Sequence, residues 1–258
     1  MIGIKNVSKS YKLTRKQQKE MGSDFIGDSV LAVDNVSLLC KPGRIFGLIG
    51  PNGAGKTSIL RMIGTMLKPS SGTISVNGFD TVDQPQSVKK NLGFLSGNTG
   101  LYDRLTAEEM VKYYADLHEM PDADFQKSRD RLFALLNMEE FAGRRIGKLS
   151  TGMMQKVNIA RTMIHEPDVV VFDEPTSGLD VMASRSIIRL IKECGEEGRT
   201  VIFSSHRLAE IQSLCDDLAI IHKGELYFNG TYGEFESQKH ENTLEDEFIR
   251  LVGEGEHV

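Results

Sequence analysis

The stretch Gly50-Pro51-Asn52-Gly53-Ala54-Gly55-Lys56-Thr57-Ser58 decides how this chain of 258 residues is read. It matches Gly-x-x-x-x-Gly-Lys-Ser/Thr, a loop whose glycines let the backbone wrap closely round a phosphate chain with successive N–H groups turned inward. Its flanks supply the context that the motif needs. Before it, the turn signal Lys41-Pro42-Gly43 leads into Arg44–Ile49, a short apolar run that reads as a strand. After it, Ile59, Leu60, Ile63 and Leu67 recur at helical spacing until Pro69–Gly72 stops the pattern. A loop that leaves a strand and opens a helix also offers an anion the positive end of that helix. In such a loop Lys56 would reach the β- and γ-phosphates of a nucleotide, and the Thr57 hydroxyl would ligate Mg²⁺.

Working outward, Ile2–Val7 and Val33–Leu39 alternate apolar and polar residues and predict strands, as do Thr73–Val76 and Leu92–Ser96. Val169–Phe172 is a continuous apolar run, suited to a strand buried on both faces. Thr200–Phe203 and Leu218–Ile221 read as strands, interleaved with helical patterns at Ser184–Cys194 and Arg207–Leu214. Strands alternating with helices predict an α/β fold with a mostly parallel sheet. The pattern turns helical from Thr106 to His165, opening on the capping box Thr106-x-x-Glu109 and broken near Gly143 and Gly147. Residues 97–160 therefore read as an inserted helical subdomain. Leu13–Ser29, with Arg15, Lys16, Lys19 and Glu20 followed by Gly22, Ser23 and Gly27, reads as a solvated loop or insertion. Near the C-terminus, Leu244, Phe248, Leu251 and Val252 fall at helical spacing among acidic residues, a helix that packs on its own domain or on a dimer mate.

Composition narrows the class. Hydrophobic residues make up 40% and charged residues 26%, with a net charge of −5, which fits a soluble globular chain and not a disordered one. No apolar run approaches the ~18–20 residues that span a bilayer. Met1–Tyr11 lacks the apolar stretch of a signal peptide. Neither a membrane channel nor a secreted protein is expected, and the acidic balance argues against a sequence-independent nucleic-acid binder. Cys40, Cys194 and Cys215 are far apart with no Cys-x-x-Cys pair, so they predict neither a zinc knuckle nor a disulfide framework. They read as small buried apolar residues in a reducing cytoplasm.

Val169-Val170-Val171-Phe172-Asp173-Glu174 ends an apolar strand in two acids. Such a strand delivers Asp173 to its C-terminal edge, where α/β proteins hold their ligands. There Asp173 can bind Mg²⁺, and Glu174 can orient or deprotonate an attacking water. At this point the sequence becomes specific. Leu149-Ser150-Thr151-Gly152-Met153 resembles the signature of the ATP-binding cassette (ABC) ATPases, commonly Leu-Ser-Gly-Gly-Gln. Ser177-Gly178-Leu179-Asp180 resembles the family's D-loop and His206 its switch histidine, while Tyr11 stands where the family stacks an aromatic on adenine. By the order and spacing of these motifs the chain is identified as a member of that family from Tyr11 to about residue 235.

The resemblance implies a P-loop NTPase fold with a mostly parallel core sheet, an N-terminal antiparallel β region and an inserted helical subdomain. It implies an ATPase domain over residues 1–235 and a helical tail over 236–258. The reaction would be ATP plus water to ADP plus phosphate, with ATP and Mg²⁺ bound. Gly50, Pro51, Asn52, Gly53, Ala54, Gly55, Lys56, Thr57 and Ser58 would cradle the phosphates, and Thr57 and Asp173 would hold the metal. Glu174 would be the general base, and His206 would bond the γ-phosphate. Two copies would pair head to tail, Ser150 and Gly152 of one touching the γ-phosphate on the loop of the other, with Asp180 bridging them. The implied partners are this second subunit and an integral membrane permease, with no nucleic acid. The implied location is cytoplasmic, peripheral on the inner face of the cell membrane.

Some positions depart from the family pattern. Thr151 and Met153 replace the common glycine and glutamine of the signature. Gly97 stands where the family usually has a glutamine that ligates Mg²⁺; Asn98 or a water would have to take its place. Gly93–Glu108 resembles a bacterial exporter subfamily related to sodium- and drug-efflux cassettes. Within it Tyr102, Leu105 and Met110 are candidates either for docking the permease or for internal packing. Lys12–Glu20 exceeds the family's usual length; its basic cluster could touch anionic lipid or a membrane partner, or be a solvated loop. Two other functions compete. One is a soluble ABC ATPase acting on a nucleic-acid or ribosomal partner, whose relatives carry two cassettes or a long coiled coil that this chain lacks. The other is a nucleotide-gated module without hydrolysis, which Lys56, Asp173, Glu174 and His206 argue against.

Overall fold

The computed structural model describes residues 1–14, 16, 18, 28–96 and 100–253. In chain order its strands are β1 (Ile2–Lys12), β2 (Ser29–Cys40), β3 (Ile45–Ile49), β4 (Ser71–Val76), β5 (Phe79–Asp80), β6 (Leu92–Leu95), β7 (Val169–Asp173), β8 (Thr200–Ser205), β9 (Asp217–His222) and β10 (Glu225–Thr231). The helices are α1 (Lys56–Ile63), α2 (Pro85–Asn91), α3 (Ala107–Leu117), α4 (Asp122–Leu136), α5 (Thr151–Met163), α6 (Val181–Glu196), α7 (Leu208–Leu214), α8 (Tyr232–Gln238) and α9 (Leu244–Gly253).

The strands form two sheets. One is antiparallel in the order β2-β1-β4-β5. The other runs β10-β9-β3-β8-β7-β6 and is parallel from β9 to β6, with β10 antiparallel at its edge. The apolar runs explain the central strands. Every residue of β3, β7 and β8 is buried, and alternate side chains enter different cores. Val170, Phe172, Val201 and Phe203 join one core with the helices α3 to α6. Val169, Val171, Ile202, Phe46 and Leu48 join the other, shared with α1 and the antiparallel sheet. A strand buried on both faces needs no polar alternation, which is why these segments read as continuous apolar runs.

Between β6 and β7 lie α3, α4 and α5 with two short 3₁₀ turns, at Glu139–Phe141 and Ile146–Lys148. The capping box that opens α3 is complete: Glu109 N–H donates to Thr106 Oγ1 at 3.1 Å, and Thr106 N–H to Glu109 Oε2 at 2.8 Å. Such a cap contributes about 1 kcal/mol. α4 stops at Asn137, which is in the left-handed conformation, and not at Gly143.

Several expectations need correction. β1 and β2 are longer than their alternation predicts, because Lys9 to Lys12 pair with Ser29 to Val33 through main-chain bonds that set no side-chain pattern. Residues 15, 17, 19 and 20 of the Lys12–Glu20 segment lie outside the described residues; Leu13 N–H donates to Asp28 O at 2.7 Å where β1 leaves off and β2 begins. Met110 is not a surface residue. It is 0% exposed, in the core under α3, and Leu105 packs against the same core. Tyr102 does stand out, 58% exposed. α9 packs on its own chain: Leu244 is buried, and Phe248 and Leu251 lie against the core. Glu247 of α9 pairs with Arg250 and also accepts N–H bonds from His240 and Glu241, which together hold its carboxyl down at about 2. Cys40 and Cys194 are buried, and burial pushes the Cys194 thiol up to about 12. Among the described residues, no helix is long and apolar enough to cross a membrane.

Candidate nucleotide site

β3, β8 and β7 are neighbours and parallel, so their C-terminal ends open on one edge of the sheet. That edge gathers the loop after β3, the acids at the end of β7 and His206 just after β8. The loop needs glycine at two places for steric reasons. A Cβ on Gly50 would sit 2.2 Å from Ile221 O, and one on Gly55, at φ +107°, would sit 2.4 Å from Ala32 O. The chain thus turns hard against β9 and β2 and releases into α1 at Lys56. Residues 52–58, with Ala32 and Glu174, line a hollow of about 150 Å³ at the start of α1. Unpaired N–H groups of a first helical turn and the helix dipole suit an anion there.

Lys56 is buried at the floor of this hollow. Its ammonium donates to Gly50 O at 2.6 Å and Pro51 O at 3.0 Å. Burial lowers its pKa, and the nearby Glu174 and Asp173 partly restore it. Thr57 Oγ1 donates to Asp173 Oδ1 at 3.2 Å. A hydroxyl and a buried carboxylate side by side are hard oxygen donors, the set that Mg²⁺ takes together with waters and phosphates, so these two residues fit the ion. Tyr11 on β1 is brought to α1 by a bond of 3.0 Å between its OH and Ser58 Oγ, and Lys9 Nζ lies 5.4 Å from its ring centroid.

Glu174 follows β7 in the left-handed region at φ 48°, a conformation that costs a residue other than glycine about 1 kcal/mol or more. Local bonds hold it there. Its N–H donates to Ser204 Oγ at 3.0 Å, and its carbonyl accepts from Ser177 N–H at 3.2 Å. The same Ser204 hydroxyl donates to Asp173 Oδ1 at 2.8 Å. Ser204 therefore organises both acids, and sequence reasoning missed it; the available signal was a pair of hydroxyl residues closing an apolar strand just before His206. His206 Nδ1 lies 3.3 Å from Glu174 Oε2. A carboxylate, a histidine, a lysine and a carboxylate–hydroxyl pair thus converge, groups that could serve phosphoryl transfer to water.

A larger cleft of about 430 Å³ adjoins this centre, lined by Thr57, Arg61, Asp173 and Glu174 on one side and Thr151, Gln155, Ser177 and Leu179 on the other. Ser150 caps α5, accepting from Met153 N–H at 3.2 Å. Asp180 caps α6, accepting from Ala183 N–H at 2.8 Å. These two helix starts are neighbours: a Cβ on Gly152 would lie 3.4 Å from Ala183 Cβ and 3.8 Å from Asp180 Oδ2. The predicted residues thus fall into two groups. Asn52 to Ser58 and Glu174 line the hollow, with Tyr11 bonded to Ser58, Asp173 to Thr57 and His206 against Glu174, while Ser150, Gly152 and Asp180 lie at the starts of α5 and α6 and line neither cavity. Gly97 and Asn98 lie outside the described residues.

Residues 33–177 match the family described as ABC transporter. The chain is also 44% identical over 215 residues to the ABC transporter ATP-binding protein NatA of Bacillus subtilis, covering 83% of this chain and 87% of that one. The chain belongs to the ABC transporter family. As an ABC ATP-binding subunit it binds ATP, is an ATPase, and is of the kind that drives transport. The cassette is 33% identical over 199 residues to the linearmycin resistance ATP-binding protein LnrL of Bacillus subtilis, covering 77% of its own length and 64% of LnrL. It also superposes on the dimeric, post-hydrolysis structure of the ATP-binding cassette MJ0796 bound to ADP and Pi. That match has a TM-score of 0.77 and 26% identity and covers 90% of this chain and 98% of the other.

Proposed function

We propose that this cassette pairs head to tail with a second copy, hydrolyses ATP at two shared sites with Mg²⁺, and powers export through a separate membrane permease. It would work from the cytoplasm, peripheral on the inner face of the cell membrane, with residues 1–235 as the motor and 236–258 as a helical tail. The observation that carries this reading is the convergence of Thr57, Asp173, Glu174 and His206 beside the hollow at the start of α1. In the reading, the loop N–H groups and Lys56 hold the β- and γ-phosphates, and Tyr11 lies against the adenine. Thr57 and Asp173 would hold Mg²⁺, which would supply positive charge to the phosphates. Glu174 takes the proton of the attacking water, and His206 steadies the γ-phosphate as charge builds on it.

Pairing is supported by the second cluster. Gly152 sits beside Asp180 and Ala183, and neither Ser150 nor Gly152 is among the residues that line the hollow. Directly after Asp180, Val181 and Met182 are apolar and 80% and 72% exposed. A start of α5 next to exposed apolar side chains suits a second copy. That MJ0796 forms a dimer supports pairing. Export is supported by the likeness to LnrL, named as a resistance protein.

The test is Glu174→Gln, which keeps the shape of the side chain and removes its basicity. Turnover should fall by about 10²–10⁴, the scale of a lost general base, while ATP still binds. A variant that hydrolyses ATP at the wild-type rate would remove Glu174 from that role.

A further inference from the structure

We propose that Glu210 is a positioning residue for ATP hydrolysis, its carboxylate tying the turn that carries Glu174 to the strand end that carries His206. The proposal rests on the reading of Glu174 as the base. Glu210 lies in the first turn of α7, is 7% exposed, and lines neither the hollow nor the cleft beside it. Each of its two oxygens takes one buried hydroxyl. Thr176 Oγ1 donates to Oε1 at 2.7 Å and Ser205 Oγ to Oε2 at 2.8 Å. Thr176 is two residues after Glu174, within the turn closed by Ser177 N–H and Glu174 O. Ser205 immediately precedes His206, and its hydroxyl also accepts from Arg207 N–H at 3.0 Å, so the backbone is held on both sides of the histidine.

The bridge lies where the sheet no longer supplies one. The β7–β8 ladder ends at the pair Asp173 and Ser204. Beyond that pair, the bond from Glu174 N–H to Ser204 and the two bonds to Glu210 tie the strand ends together. They thereby set the 3.3 Å separation of Glu174 and His206.

The chemistry of the bridge calls for a carboxylate. Two hydroxyl donors converge on one side chain, and only an ionised acid accepts from both without presenting a hydrogen of its own. Glutamine has one acceptor oxygen and turns an NH₂ toward the other hydroxyl. Burying a charge is also a poor device for stability alone. Among the described residues the charge is offset by one guanidinium, Arg207 Nη1 at 3.5 Å, itself partly exposed.

The experiment is single-turnover hydrolysis of MgATP by the full chain as wild type, Glu210→Gln, Glu174→Gln and the double variant, with KM and melting temperature measured for each. Displacing a reacting group by about 1 Å costs on the order of 10²-fold. Glu210→Gln should therefore slow hydrolysis about 10- to 100-fold with KM for ATP near the wild-type value. The double variant should be no slower than Glu174→Gln, since a base that is gone cannot be mispositioned. Hydrolysis by Glu210→Gln at the wild-type rate overturns the proposal. So does a double variant slowed by the same factor as the single, which would mark a structural role. If Glu174→Gln itself turns over normally, the reading of the base fails and takes the proposal with it, a result distinct from the other two. Should Glu210→Gln not fold, Thr176→Val removes one donor at constant volume and serves in the same comparison with the same outcomes.

Discussion

His165 lets the account be tested through stability alone. It follows α5, and its ring stacks on His118 with centroids 3.7 Å apart and planes 8° from parallel. Burial, helped by repulsion from His118 and Arg199, lowers its pKa from 6.5 to about 4. The unfolded chain then binds the proton more tightly than the folded one. The group's contribution to stability is full above pH 6.5 and drains away as the pH falls toward 4. From these two values, linkage gives a loss of about 2 kcal/mol between pH 7.5 and pH 5. For a chain of this size that corresponds to roughly 4–8 °C in melting temperature. His165→Phe keeps a flat ring over His118 and takes no proton. His118, whose pKa burial also lowers, titrates in both proteins. Thermal unfolding followed by circular dichroism at pH 7.5, 6 and 5 should show a drop for wild type that is larger by about 2 kcal/mol than the drop for the variant. Parallel curves would refute the argument, because the buried imidazole would then not be what acid attacks.

Two further outcomes follow from particular contacts. Ser204→Ala removes the acceptor of Glu174 N–H and the donor to Asp173. A lost buried bond of this kind costs about 1–3 kcal/mol, so steady-state hydrolysis should fall roughly 10-fold or more, and an unchanged rate would show that the acids are placed without it. Met110→Ala should destabilise the fold by about 2–5 kcal/mol in urea unfolding, as a fully buried side chain would, whereas a surface docking residue would cost almost nothing.

Much of the site was legible because its residue types carry the mechanism locally. The loop from Gly50 to Ser58 states its own backbone geometry, and Asp173 and Glu174 end an apolar run that suits a buried strand. The parts that were not legible depend on contacts between distant segments. Ser204 meets Glu174 across 30 residues, and Glu210 meets Thr176 across 34; no period or spacing announces a hydroxyl that bonds an acid on the next strand. Met110 shows a different limit. Helical spacing marks one apolar face of α3, but it does not say what covers that face, and here α5 and the neighbouring helices cover it from within the chain. β5, with two residues, and α2, with seven, are too short for any periodicity to appear. β10 pairs at the edge of the sheet with a mixed, half-buried pattern.

The central claim is that each ATP site is built from the phosphate loop of one copy and the start of α5 of another. It is tested most directly by mixing two inactive variants. Lys56→Ala removes the lysine of the loop. Ser150→Asp keeps the cap of α5, since aspartate caps as well as serine, and sets a negative charge against a phosphate. Each variant alone should hydrolyse ATP poorly, while their mixture should form heterodimers in which one of the two sites is intact, so that turnover rises well above the average of the separate proteins. Turnover of the mixture equal to that average would contradict the account.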